Sequence, residues 1–297
     1  MNAARMSTSI RLIAIVAAGL CGLAIVGFTS ASGDLGAEIA RLDQLTSGSE
    51  TGAQVASGNP ERFCRAEPTR DLPPLDLSDM TLYDYRAPWH ASNWDNTASF
   101  TPWRYDHIRI DENGDAIFRL DRTGAPQLKF GGQSMRAVKG TWEVEVTLPP
   151  MRDGLVVAPL WLFNQQQKEE IDFEFSGRRS LDLTIHAYPG GSHEKKTISL
   201  FRGFDWSGCT TKFKIVADIP AGWVSMYLDD VLLHQFARDD LGYFITAETG
   251  PVIEMWPARD NRVDFVQWVG RWVPLEPREA LEMKVHGFRF TPGEPSE

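Results

Sequence analysis

Cysteine is scarce in this chain, with three residues in 297 and no C-x-x-C pair. H-E-x-x-H is also absent, and the six histidines form no set with metal-ligand spacing, so no catalytic metal is implied. Positive charge is in deficit. The formal net charge of −10 at pH 7 argues against nucleic acid or an anionic membrane surface as the main partner, and a neutral ligand fits better. Helical periodicity is sparse and no internal repeat of fixed period occurs, which leaves short strand-like runs to carry the fold.

A long apolar run is found near the N-terminus. Arg5 and Arg11 precede an uncharged stretch from Leu12 to Phe28, followed by Thr29-Ser30-Ala31-Ser32-Gly33, the order of an export signal. The run is long for a cleaved signal and short for a full span, so residues 1–32 read as a signal peptide or a retained anchor. Either way the bulk of the chain is exported, secreted or periplasmic, with membrane contact only if the segment is kept. Cys21 lies inside the run behind Ala18-Gly19-Leu20, whose bulky last residue argues against lipoprotein processing. In an oxidising compartment Cys64 and Cys209 either pair in one disulfide or stay as two thiols, and export favours the pair.

Residues 33–74 are rich in Gly, Ser, Thr, Glu and Pro and read as a mobile tether, with room for a short amphipathic helix around Leu35–Leu45. From Leu75 the pattern changes. Short apolar or alternating runs separated by turn signals cover 116–120, 141–148, 156–163, 170–175, 181–186, 212–216, 224–228, 231–236 and 284–290. In "TWEVEVTL", Trp142, Val144, Val146 and Leu148 share one face, while "DENGD", the glycines at 190–191 and the aspartates at 229–230 supply turns. Many short strands in one large domain over 75–297, with 42% hydrophobic residues to fill a core, predict an all-β sandwich or jelly roll.

"EEIDFEFSG" places Glu170, Asp172 and Glu174 at two-residue spacing, with Ile171, Phe173 and Phe175 between them. On a strand this is a carboxylate row backed by an apolar row. Two readings stand: a solvated acidic face, or a cleft that uses the acids. Stacked carboxylates repel and gain nothing on a bare surface, whereas glycosidic cleavage needs one carboxyl to attack or activate water and another to protonate the leaving oxygen. The outer pair is about 13 Å apart along an extended strand, and a retaining mechanism brings such carboxyls to about 5–5.5 Å.

"EEIDFEFSGRR" resembles the active-site strand of glycoside hydrolase family 16, of the lichenase and xyloglucan-transferase type. "KGTWEVEVTLPPMRDGLVVAPLWLF" is similar to the two strands before that site, and "GGSHEKKTISL" and "WVSMYLDDVLLHQF" to later lichenase segments. "VIEMWPARDNRVDFVQWVGRW" resembles a cleft-edge segment, and the likeness runs colinearly from about Trp89 to Phe290. The resemblance implies a concanavalin-like jelly roll of two curved antiparallel sheets with a polysaccharide cleft across one. It implies Glu170 as nucleophile, Glu174 as general acid and base, and Asp172 as the helper between them. It places Trp103, Trp256, Trp268 and Tyr188 around the cleft, and leaves Trp161 either in the cleft or between the sheets. A structural calcium on the convex side belongs to the same picture, though no local ligand cluster singles one out.

Departures from the lichenase pattern are His186 and Glu254, each in place of Asn, and Lys168 in place of Trp. They change donors and charge beside the expected cleft. His186 and Glu254 either contact sugar or hold one another. The trio serves hydrolysis or transfer to a sugar hydroxyl equally well, while a carbohydrate-binding module on this framework has no need of a repulsive trio. The expectation is a monomeric, exported, endo-acting enzyme of β-1,3/1,4-glucan or bacterial exopolysaccharide, with no cofactor required for catalysis.

Overall fold

The computed structural model describes residues 59–82, 87–132 and 134–294, so the segment 1–32 and the helix expected around Leu35–Leu45 lie outside the described residues. Among the described residues are fourteen strands. These are β1 (Trp89–Ala91), β2 (Ile108–Ile110), β3 (Ala116–Leu120), β4 (Gln127–Phe130), β5 (Lys139–Thr147), β6 (Leu155–Asn164), β7 (Glu169–Ser176), β8 (Leu181–Ala187), β9 (Glu194–Leu200), β10 (Thr210–Asp218), β11 (Trp223–Leu228), β12 (Val231–Ala237), β13 (Gly250–Pro257) and β14 (Leu281–Pro292). Two short helices, α1 (Arg238–Leu241) and α2 (Val263–Val269), lie between them. The strands form two seven-stranded sheets, ordered β1-β4-β13-β6-β7-β8-β9 and β12-β11-β10-β5-β14-β3-β2. Every strand pairing is antiparallel. This is the jelly-roll sandwich that the strand pattern predicts.

The core lies between the sheets. Trp142, Val144 and Val146 of β5 are fully buried from one sheet, and Ile171, Phe173 and Phe175 of β7 from the other. Phe213 of β10 meets Phe173 and Phe175 edge-on, with ring centroids 5.2 and 5.9 Å away. Each such side chain stabilises the fold by about 1.5–3 kcal/mol through burial, and edge-to-face pairing adds about 0.5–1.5 kcal/mol. The apolar row of β7 is thereby held from beneath, and its acidic row is turned to the outer face of the sheet. At the β11–β12 hairpin Asp229 and Asp230 take φ of 45° and 65°, the left-handed pair of a type I′ turn.

The mobile tether expected over 33–74 does not extend to Pro74. Within it Phe63 and Leu72 are buried, Arg65 bridges to Thr210, and Cys64 is joined to Cys209 in a disulfide with Cα atoms 4.5 Å apart. Glu145 points away from the core on β5, yet it is buried because this segment covers it. Its carboxylate accepts from Arg65 Nη2 at 2.7 Å, Thr69 N–H at 2.8 Å, Thr69 Oγ1 at 2.9 Å and Arg70 N–H at 3.0 Å. A stretch this poor in apolar residues reads as unstructured because it has no core of its own. Hydrogen bonds to Glu145, ion pairs from Arg65 to Asp229 and from Arg70 to Asp115, two buried apolar side chains and a cross-link hold it to the rest of the fold.

Strands β1, β2, β4, β9 and β13 were not among the runs that alternation picks out. The first two are three residues long, and all eight residues of β13 are buried, which erases the alternation that marks a half-buried strand.

Candidate active site

Strand β7 lies inside its sheet, between β6 and β8. The register sets Glu170 opposite Phe163 and His186, Asp172 opposite Trp161 and Thr184, and Glu174 opposite Asp182. Side chains directly opposite share a face, so rings flank the acids on one side and hydrogen-bonding groups on the other. The adjacent Glu169 does different work. It is buried, accepting from Thr246 N–H, Thr246 Oγ1 and Ala247 N–H, each at 2.9 Å, and so ties down the loop before β13.

The register of β6 slips at Ala158–Pro159 against β7 and at Pro159–Leu160 against β13. Proline has no N–H for a ladder and is tolerated inside a sheet at such a bulge. The slip lies opposite Glu174 on one side and beside Glu254 on the other. After β7, Gly177 takes φ of 62°, and an added Cβ there would sit 2.5 Å from the carbonyl oxygen of Val269. Only glycine lets the end of α2 pack this closely. That approach brings the Trp268 indole N–H to Asp182 Oδ2 at 3.1 Å, while Ser180 donates to the other oxygen at 2.8 Å.

Asp172 is buried, and Glu170 and Glu174 are half-buried. Burial pushes the Glu170 carboxyl up to about 8, with the Asp172 charge adding to it and His186 and Lys129 pulling the other way. Burial likewise holds Asp172 well above the ordinary carboxylate range, against the pull of Lys195. Glu174 is raised first by burial and then by Asp172, Glu170, Glu254 and Asp182. Its leading neighbours are all carboxylates, whereas Glu170 has two cationic or potentially cationic ones. When the row gives up a proton, the negative charge therefore settles on Glu170 first and the proton stays on Glu174. These protons belong to the row as a coupled set.

The other expected site residues are distributed around this row. His186 presents Nε2 to Asp172 Oδ2 at 3.3 Å, and Glu254 accepts from Gln127, so the two are held by different partners. Burial raises the Glu254 carboxyl to about 7, opposed by the Gln127 bond and by Lys129. Trp161 is half-buried on the strand face that pairs with Asp172, and its ring lies 5.2 Å from Phe163. Tyr188 stacks on His193 at 4.8 Å. Trp256, Phe265 and Trp268 form an aromatic run with centroids 6.1 and 6.3 Å apart. Trp103 exposes 4% of its surface and Trp256 8%, while Trp268 is half-buried and keeps the more open ring. Lys168 takes φ of 58° in the turn before β7.

Three residues beside the row escaped sequence reasoning. Asp182 and Thr184 alternate with His186 on β8 just as the acids do on β7, a signal that was available. Lys129 was not recoverable, because β4 is four residues long and reaches the site through β13. Among the described residues, the one grouping able to offer three His, Cys, Asp or Glu ligands to an ion is Glu170, Asp172 and His186, with ligand atoms within 4.8 Å of one another. It lies in the carboxylate row.

Comparison with solved structures finds the same architecture. A prokaryotic β-1,3-1,4-glucanase (lichenase) from a mouse hindgut metagenome matches with a TM-score of 0.53 at 16% identity, covering 69% of this chain and 92% of its own. A Bacteroides ovatus family enzyme from a mixed-linkage glucan locus, solved with a G4G4G3G product, matches with a TM-score of 0.55 at 16% identity, covering 68% and 94%. The laminarinase catalytic domain of Thermotoga maritima matches with a TM-score of 0.52 at 18% identity, covering 70% and 92%. No protein with a curated description matches by sequence. The model for "Glycosyl hydrolases family 16" matches residues 92–272, from just after β1 to just past α2 and so across the whole carboxylate row. The chain belongs to glycosyl hydrolase family 16 and is a glycoside hydrolase acting on O-glycosyl bonds.

Proposed function

We propose that the protein is an exported, retaining, endo-acting hydrolase of β-linked polysaccharide, a β-1,3/1,4-glucan or a bacterial exopolysaccharide. The observation that carries this reading is the asymmetry of the row's surroundings, with His186 standing across from Glu170 and Lys129 acting on it, whereas Asp182 stands across from Glu174. Glu170 attacks the anomeric carbon while Glu174 gives its proton to the departing glycosidic oxygen, leaving a glycosyl ester on Glu170. Esterification removes the Glu170 charge, so Glu174 is then free to accept a proton from the water that attacks the ester. Hydrolysis regenerates both groups. Neither step calls for a metal.

Endo action is supported by the position of β7, since β6, β13, β4 and β1 extend the sheet on one side and β8 and β9 on the other. Export is supported by the Cys64–Cys209 disulfide, a bond that persists in oxidising compartments. The glucan assignment draws on the relatives described as lichenases and laminarinases. The test follows viscosity and reducing ends on mixed-linkage glucan, β-1,3-glucan and bacterial exopolysaccharides, with Glu170→Gln as control. A rapid viscosity drop that the substitution abolishes is expected. Lengthened products would show transfer to sugar instead, and tight glycan binding without bond cleavage would overturn the enzyme reading.

A further inference from the structure

Asp172 lies in the middle of the carboxylate row, exposing 3% of its surface, and neither of its oxygens accepts a hydrogen bond from a described residue. Buried carboxylates are otherwise paired or bound to metal. His186 Nε2 stands 3.3 Å from Asp172 Oδ2 in a contact without hydrogen-bond geometry, and Glu170, opposite His186 in the sheet, brings a third ligand atom to the same place. All three ligand atoms lie within 4.8 Å of one another.

These separations suit a single ion. Zinc holds imidazole nitrogen and carboxylate oxygen at about 2.0–2.2 Å, so two ligands at a tetrahedral angle stand about 3.3–3.6 Å apart, in line with the 3.3 Å between His186 and Asp172. Glu170 is half-buried on a longer side chain, and rotation of that chain brings its oxygen the rest of the way. The imidazole is oriented from behind. His186 Nδ1 lies 2.8 Å from His193 Nε2, the two rings are parallel to within 3°, and Tyr188 stacks on His193 at 4.8 Å. When His186 Nδ1–H donates to His193, Nε2 keeps its lone pair, which is the tautomer a metal ligand needs.

We propose that Glu170, Asp172 and His186 form a site for a divalent transition-metal ion of the zinc and copper class, with His193 as the residue that positions the imidazole, and that the bound ion blocks the active site. One nitrogen and two carboxylates favour such ions, whereas calcium asks for about six to eight oxygens. The set depends on His186, which stands where the lichenase pattern has Asn, so the acidic trio alone does not supply it. An ion here replaces the protons that burial keeps on the two carboxyls. The block rests on the reading of Glu170 as nucleophile, because a metal-bound carboxylate cannot attack sugar. The site itself stands independently of that reading.

Cobalt(II), whose visible bands report its ligands, is titrated into the chelator-treated full chain at pH 8, where proton competition is weaker than at neutrality. Uptake of one cobalt per chain is expected, displaced by zinc and not by a large excess of calcium or magnesium. His186→Asn should abolish the bands, and His193→Asn should weaken binding about 10–100-fold. No uptake by the unmodified chain, or bands that survive His186→Asn, would overturn the site. In parallel, β-glucan cleavage should fall in step with zinc occupancy and return when chelator is added. Cleavage that continues on fully occupied protein would overturn the block, and with it Glu170 as nucleophile, while leaving the metal site. A filled site in a chain that cleaves no glycan even when metal-free would overturn the hydrolase reading alone.

Discussion

Replacing Glu170 with Gln is expected to abolish cleavage and to make the fold more stable at neutral pH. The folded carboxyl is raised to about 8 from an ordinary value of 4.5, with burial as the main cause and Asp172 second. Between these values the native state keeps a proton that the unfolded chain has released, so stability is greatest below the ordinary value and falls as pH rises toward the folded one. At pH 7 the gap is about 2.5 pH units, and at 1.36 kcal/mol per unit this costs the wild type about 3 kcal/mol. Glutamine has the shape of the protonated acid and carries no such cost. The substitution also removes the charge that Glu170 takes on as pH rises toward 8 and so relieves Glu174, which makes the gain a property of the row. Urea unfolding of both proteins should show almost no difference near pH 4, a gain for the variant of about 3 kcal/mol at pH 7, and a plateau above about pH 8. A difference that does not change with pH, or a wild type that gains on the variant as pH rises, would refute the buried-row argument.

Removing the disulfide with Cys64→Ser and Cys209→Ser frees a loop spanning 145 residues, worth about 5 kcal/mol by chain entropy and typically 2–4 kcal/mol in practice. Thermal unfolding should drop by about 5–15 °C, with kcat unchanged at temperatures where the fold persists. Trp268→Phe removes the indole donor to Asp182 and, for a hydrogen bond to a charged group, should cost about 1.5–3 kcal/mol. An Asp182 without that donor makes a stronger negative neighbour for Glu174, so the alkaline limb of the pH–rate profile should move upward, and an unchanged limb would separate Asp182 from the acid.

How much of this was legible beforehand differs from element to element. The alternation of β5 and β7 predicted their faces correctly, because side chains on a strand alternate whatever lies beyond it. Strand β3 spans the residues that were expected, and β14 extends a few residues past its expected ends, where edges depend on pairing partners. The uniformly buried β13 carried no alternation to read, and β4 was too short. Asn59–Pro74 was misread for a related reason, since composition registers apolar content and cannot register hydrogen bonds to Glu145, 75 to 80 residues away.

The sequence by itself determined that three carboxylates share one face of a strand with an apolar row beneath them, since a period of two follows from covalent geometry alone. It also carried the family likeness, which resides in colinear motifs. Only the tertiary structure decided what surrounds the row. Strand register set His186 and Asp182 beside the acids, the close approach at Gly177 delivered Trp268, and the His193 bond extended His186 toward solvent. Those neighbours, with Lys129 on β4, set Glu170 beside an imidazole and a lysine and Glu174 among carboxylates, and they come from segments far apart in the chain, so no local pattern encodes the difference between the two glutamates.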